Sequence, residues 1–363
     1  MKRLLASLFC LLLALLLPLS AQAEPYLAMQ MGLKCVACHT NPSGGGQRNN
    51  FGDTFAQRLM PANQLSDTLA NWNGEVIPDR LRIGGDYRWA ETDTKVSGQP
   101  SQRFKGVEQF RVYGDVQIIK DYLGAYIDEQ LSPGKALRQE AYVRLSTPGM
   151  GWYAKAGQFY LPFGWRLQDQ SAFVRQLSGI NMTAPDKGVE VGMERDEWSA
   201  QLVYSNGPGN KGTGGGHQVT GQLIWLQSWG RLGLSTARTS SVIGGDRQAY
   251  GVFGGTRTGP VVWLAEIDLV RDAGYPEGTR TLMASLLEAD WRVSQGHNLK
   301  FTAEMFDRDR RVSNDMNTRY SFVYEYSPIP FLQLRAGLRR FYGIPQNDFD
   351  NRRQTFVELH GLF

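Results

Sequence analysis

From residue 80 onward, polar and apolar positions alternate with a period of two. Leu81, Ile83, Gly85, Tyr87 and Trp89 fall on one side, and Arg80, Arg82, Gly84, Asp86 and Arg88 on the other. The pattern returns in Phe110–Ile118, Val261–Leu269, Leu287–Val293 and Leu332–Arg339. Successive side chains of a strand point to opposite faces, so each stretch predicts a strand with one apolar and one polar face. Many of these strands reach about ten residues or more, the span of a tilted strand through a bilayer. Trp89, Trp152, Trp225, Trp263 and Trp291 fall on the apolar face, often near strand ends, as an interfacial aromatic girdle requires. The pattern therefore predicts a membrane barrel rather than a soluble sandwich.

The connections sharpen this. Short turns fall at Lys120-Asp121, Thr147–Gly151, Arg195-Asp196, Ser228–Gly230, Thr258-Gly259, Ser294–His297 and Ser327–Pro330. Longer polar loops fall near 92–104, 132–136, 161–187, 206–216, 241–246, 272–278, 308–316 and 342–351. The two sets interleave, with short turns on the periplasmic side and longer loops outside. The prediction is an all-β, antiparallel transmembrane β-barrel of about 16 strands over residues 80–363. Its last strand ends in Phe363, like the C-terminal signal of outer-membrane barrel proteins. Counting back in twos from Phe363 turns Gly361, Leu359, Val357 and Thr355 to lipid and His360 and Glu358 to the lumen. Loop 161–187, carrying Arg166 and Arg175, is either a constriction folded inward or an outer surface loop. The lumen face carries charges of both signs, read as a wet, balanced interior or as a source of ion selectivity.

Residues 1–23 read as a secretory signal. Lys2 and Arg3 are followed by an apolar run over Leu4–Leu19 and the cleavage site Ala21-Gln22-Ala23. The other reading, a membrane anchor, is weakened by the short run and the cleavage site. Cys10 lies in the removed part, which leaves Cys35 and Cys38. The net charge of +4 is small for 363 residues, and no basic tract points to nucleic acid. Forty-one Gly, nine Trp, 15 Tyr and 17 Phe suit a many-stranded chain.

Residues 24–79 form a small N-terminal segment with a chemistry of its own. Cys35, Cys38 and His39 stand three and one apart, so one helical turn brings both thiols and the imidazole to one flat ligand. That spacing marks covalent attachment of one haem c, with two thioethers from Cys35 and Cys38 and His39 on the iron. A structural zinc site needs about four ligands, and His217, His297 and His360 are far off in sequence. A redox dithiol needs a βαβ pattern that is missing. Thr40–Gly46 reads as a loop and Asn50–Met60 as a short helix with Phe51, Phe55 and Leu59 in one stripe, stopped by Pro61. Met60 is the first candidate for the distal ligand, where a thioether raises the potential, and His360 the second. Met29 and Met31 are also near in sequence. His297 is expected in a solvated turn and His217 in an outer loop. A segment of about 55 residues has little core of its own, and can fold into the lumen as a plug.

Cys35, Cys38, His39, Pro42, Asn50-Phe51-Gly52 and Phe55, followed by a barrel ending in Phe363, resemble the fused monohaem cytochrome–porin family. Its best-known members are outer-membrane iron oxidases of iron-oxidising bacteria. The chain departs from them in Gly44-Gly45-Gly46 after Pro42 and in a somewhat short barrel, which bears on the substrate more than on the architecture. Gly157–Gly164 also resembles anion-selective porins of the phosphate-porin type. The resemblance implies outer-membrane electron transfer between an extracellular redox partner such as Fe(II) and a periplasmic c-type cytochrome or other carrier, hence an Fe(II):cytochrome c oxidoreductase. The rival expectation is a diffusion porin whose haem segment is a plug or sensor. A third is a relay within a larger multihaem assembly.

Overall fold

The computed structural model describes residues 24–65, 72–180, 184–207, 216–241 and 245–362. The expected signal segment 1–23 with Cys10, and the terminal Phe363, lie outside them. Among the described residues, seventeen strands make one sheet. The first, Glu75–Ile77, is a three-residue piece paired at the start of the next strand. The other sixteen run as an antiparallel meander: β1 Leu81–Lys95, β2 Gln102–Ile119, β3 Leu123–Ser132, β4 Leu137–Ser146, β5 Tyr153–Phe159, β6 Asp186–Glu194, β7 Trp198–Ser205 and β8 His217–Gln227. The second half comprises β9 Gly230–Ser240, β10 Arg247–Thr258, β11 Val261–Asp272, β12 Arg280–Ser294, β13 His297–Asp307, β14 Asn317–Ile329, β15 Leu332–Tyr342 and β16 Arg353–Leu362. β16 pairs back onto β1, from Arg353 against Lys95 to Leu362 against Asp86, and closes the barrel. Closure pairs both edges, so no backbone group faces lipid unsatisfied.

The alternation sorts as the sequence predicts. Leu202, Leu234, Val252, Ile267, Leu287, Phe301, Leu338 and Val357 are exposed on the outside, while Arg111, Asp128, Glu140, Lys155, Glu190 and Arg319 are buried inside. An apolar exterior around a polar interior is the arrangement of an outer-membrane barrel, and this protein is one. The aromatics divide by height. Trp152, Trp198, Trp229, Trp263 and Trp291 ring the short-turn end, and Tyr204, Tyr250, Tyr320 and Tyr342 are exposed at the long-loop end. Two girdles bracket the apolar band. The expected turns and loops fall at the strand junctions, but several overlap the strand ends; Ser327–Ile329 of the turn expected over Ser327–Pro330 belong to β14. The connection expected over 92–104 shrinks to 96–101, because β1 and β2 stay paired through Asp93–Arg103 and Thr94–Gln102. Their charged outer residues read as loop in sequence.

The lumen is filled from both ends. From the short-turn side comes the N-terminal segment, with helices α1 Pro25–Met31 and α2 Asn50–Thr54. From the long-loop side the chain after β5 folds inward. Phe159, Tyr160, Leu161, Phe163, Trp165 and Leu167 are buried, and a short helix α3, Phe173–Ser178, packs against the wall. Of the two expectations for loop 161–187, the inward fold holds over its described residues 161–180. The Phe51/Phe55/Leu59 stripe does not. After Thr54 the helix widens into a π turn over Phe55–Leu59, closed by Met60 N–H to the Phe55 carbonyl at 3.1 Å. The wider turn shifts the phase beyond Phe55, so Leu59 is exposed while Phe55 is buried; Phe51, before the π turn, is exposed as well.

Leu234, mid-strand on β9, is 56% exposed on the lipid face. Leu234→Arg is expected to destabilise the barrel by about 2–4 kcal/mol near the bilayer midplane, read by reversible denaturation in vesicles.

Candidate functional site

The turn that the Cys35/Cys38/His39 spacing requires is present. Cys35–Ala37 forms one 3-10 turn, and the N–H groups of Cys38 and His39 both donate to the Cys35 carbonyl at 3.1 Å. Both thiols are free. The chain then doubles back, with Thr40 N–H donating to the Gln47 carbonyl at 3.0 Å and His39 bridging to Arg48. Glycine makes the reversal possible. Gly44, Gly45 and Gly46 all have positive φ, at 83°, 76° and 62°. A Cβ on Gly44 would sit 3.0 Å from Cys35 Cβ, and one on Gly46 would sit 2.0 Å from the Tyr126 hydroxyl. Gly52 lets α2 lie directly on the motif, since a Cβ there would meet the Cys38 carbonyl oxygen at 2.1 Å.

The segment is bolted to the wall around its circumference. Lys34 Nζ donates to the Trp198 carbonyl at 2.7 Å and pairs with Glu194 at 3.2 Å. Asn41 Nδ2 donates to Glu140 at 3.2 Å, and Gln47 N–H donates to the Tyr126 hydroxyl at 3.1 Å. Arg82 holds Asn50 at 2.7 Å and Asp53 at 3.2 Å. Ala62 N–H reaches the Ser327 carbonyl at 2.8 Å. Glu24 pairs with Lys300, and Tyr26 donates to Glu325 at 3.1 Å.

Inside this collar lies a cavity with about 1140 Å³ of empty space. Its walls have three sources. The N-terminal segment brings Cys35, Cys38, His39, Pro42, Phe55 and Met60; the inward loop brings Pro162–Arg166; β7–β10 bring Gln201, Gln222, Arg231 and Phe253. His39 is 2% exposed, and neither ring nitrogen reaches a partner of hydrogen-bonding geometry. The backbone of Gly46 and Gln47 runs beside the ring and offsets its burial only in part. Burial first, then the Arg48 and Arg166 cations, push the imidazole down to about 3, so it is neutral, the form that ligates a metal. Burial pushes the Cys38 thiol up, and Asp53 up to about 6 against the pull of Arg48 and Arg82.

A buried imidazole compensated only by the nearby Gly46 and Gln47 backbone is costly unless something beyond the protein chain engages it. Two free thiols and that imidazole open on one large cavity. Arg48, Arg166 and Arg231 stand on its wall, suited to the carboxylates of a porphyrin edge. The donor set has the chemistry that a covalently attached haem requires.

Of the two distal candidates, the fold brings Met60 to this cavity and not His360. His360 is buried on β16, with Nδ1 3.2 Å from Gln333 Oε1 and Nε2 3.2 Å from Asp86 Oδ2, so both nitrogens are occupied. Met31 also lines the cavity, whereas Met29 packs into the apolar core. His297 opens β13 at the short turn, half-exposed, with Nδ1 2.7 Å from the Tyr324 hydroxyl and its ring stacked on Tyr326 at 4.6 Å. His217 opens β8 and stacks on Tyr204 at 6.0 Å. Arg48, Trp165 and Arg231 escaped the sequence. Arg231 carried a signal, an inward place in the alternation of β9; Trp165 carried none.

No family model and no curated relative matches this sequence. Solved structures do match its fold. The barrel is similar to an anion-selective porin from Comamonas acidovorans (TM-score 0.64, 10% identity, 78% of this chain and 99% of that one). It is also similar to Salmonella typhi OmpF in complex with daunomycin (TM-score 0.62, 10% identity, 79% and 99%). Pseudomonas putida OprB matches with a TM-score of 0.61, 10% identity, and 84% and 99% coverage. At these identities the likeness is one of fold: the chain folds as a porin-like outer-membrane barrel.

Gly52→Ala is expected to push α2 off the Cys38 carbonyl at a cost of about 1–3 kcal/mol. A lowered melting temperature, with the barrel's far-ultraviolet circular dichroism unchanged at 25 °C, would register it.

Proposed function

We propose that this chain is a fused monohaem cytochrome–porin that carries electrons across the outer membrane. The observation behind the reading is the convergence of Cys35, Cys38 and the buried His39 on one cavity inside a closed barrel. Cys35 and Cys38 supply the thioether sulfurs and His39 the proximal imidazole. Met60 is the distal candidate on the cavity wall, and Arg48, Arg166 and Arg231 balance carboxylate charge. A haem c held there supplies one-electron chemistry. The chain's own part is to hold the imidazole neutral, to exclude water with the inward loop, and to hold the site inside an otherwise insulating membrane. The electron partners under this reading are a periplasmic c-type cytochrome or other carrier at the short-turn mouth and an extracellular donor such as Fe(II) at the other.

A second reading has its own support. The barrel's similarity to porins favours a diffusion pore in which the N-terminal segment is a plug or sensor. Conductance separates the two: electron transfer through a filled lumen predicts no stable open channel in planar bilayers, and a diffusion pore predicts steady ohmic steps.

The direct test is a spectroelectrochemical titration of the protein produced with a haem-attachment system. A c-type spectrum is expected, lost in the Cys35→Ser/Cys38→Ser double variant. Met60→Ala is expected to lower the potential and change the ligand-field bands, while His360→Ala leaves both in place. Absence of covalent haem from the wild-type chain, or failure of Fe(II) added outside sealed vesicles to reduce it, would overturn the respective half of the proposal.

A further inference from the structure

At the long-loop rim the outer face carries a row of cations that the lumen chemistry does not use. In register across three neighbouring strands stand Arg340 on β15, Arg353 on β16 and Lys95 on β1. All three are exposed, and among the described residues no carboxylate pairs with any of them. Their orientation follows from period two. Leu338 shares the face of Arg340, and Val357 that of Arg353, and both are half-exposed on the lipid side. Just inward along β2, Arg103 and Lys105 flank Glu91 at 3.7 and 3.6 Å. The row stands level with Tyr320, which pairs with Arg340, and Tyr342 follows on the same face. That is the height of the tyrosine girdle, where headgroups meet the apolar band.

Like charges directly opposite one another on a sheet destabilise it. Arg340 lies over the Tyr342 ring, 5.4 Å from its centroid, but three cations side by side at the membrane surface with no carboxylate partner favour an anion supplied from outside the chain. Below Arg340 and Arg353 the face is apolar at Leu338 and Val357 and suited to acyl chains, while on β1 Asp93 and Glu91 share the face of Lys95. The needed anion is thus attached to a lipid, on the leaflet that the long loops face.

We propose that Lys95, Arg340 and Arg353 form a binding site for a phosphate-bearing lipid of the outer leaflet, with Arg103 and Lys105 at its edge. The site is independent of whether the cavity holds a haem. It tethers the seam where β16 closes onto β1 to the outer leaflet.

The test compares the full chain with Lys95→Gln/Arg340→Gln/Arg353→Gln in micelles of a phosphate-free maltoside detergent, with and without bisphosphorylated lipid A. Arg238→Gln/Arg271→Gln, a pair of outward rim cations elsewhere on the barrel, is the control. With about 1 kcal/mol per cation at a charged surface, the triple variant is expected to bind lipid A about a hundredfold more weakly. The control is expected to bind as wild type does. Thermal melts give a second reading that a mere folding defect would not produce. Without phosphorylated lipid the triple variant is expected to melt higher than wild type, because the repulsion is gone; with it the order reverses. Equal binding by wild type and triple variant overturns the proposal. So does equal binding of dephosphorylated lipid A, or full protection by millimolar inorganic phosphate alone, which would make the row a free-anion site.

Discussion

A barrel that turns its apolar side chains to lipid must turn its polar ones inward, and a charge placed there is stable only beside its opposite. Lys155 on β5 is 1% exposed and lies 3.2 Å from Glu190 on β6. Arg111 meets Asp128, Arg319 lies between Asp169 and Glu304, and Arg335 bridges Glu325 and Glu358 at 3.2 Å each. Removing one member of such a pair strands the other, at a cost of about 3–5 kcal/mol. The wall is therefore a connected electrostatic surface with little freedom to vary one charge at a time.

The N-terminal segment and the inward loop belong to the same surface. Glu24, Lys34, Asn41, Asn50 and Asp53 end on wall charges. From the other side, Trp165 and Phe173 N–H groups donate to Glu266 at 2.9 Å and Glu304 at 2.8 Å, and Asp169 pairs with Arg319 at 3.0 Å and Arg339 at 3.2 Å. Arg166 reaches across to the Gly44 carbonyl and joins loop to segment. Neither filling element has a large core of its own; each is ordered by the wall. Their meeting encloses the cavity, and the motif stands where they meet. An imidazole that would be hydrated in a free peptide is here dehydrated, with only the Gly46 and Gln47 backbone beside it.

Much of this was legible in the chain. The alternation of β2, β11, β12 and β15, the interleaving of short turns and long loops, and the inward place of Glu358 and His360 all follow from period two and turn chemistry. The Cys35–His39 turn was legible too, because three- and four-residue spacing is a local matter. The less legible features depended on distant partners. The π turn at Phe55 suits Gly52 lying on the Cys38 carbonyl. The edge of the 92–104 loop depended on cross-strand pairing that persists under charged outer residues. His360 read as an open lumen histidine until Gln333 and Asp86, from β15 and β1, were seen to occupy both its nitrogens.

The sequence by itself determined the barrel, its facing and the motif that could hold a cofactor, because strand alternation and helical-turn spacing are set by residues next to one another. Only the tertiary structure decided that loop 161–187 folds inward, that Met60 rather than His360 shares the cavity with His39, and that Lys95, Arg340 and Arg353 stand in one row. Each of those outcomes brings together residues tens to hundreds of positions apart, and the closing of β16 onto β1 is the contact that aligns the most distant of them.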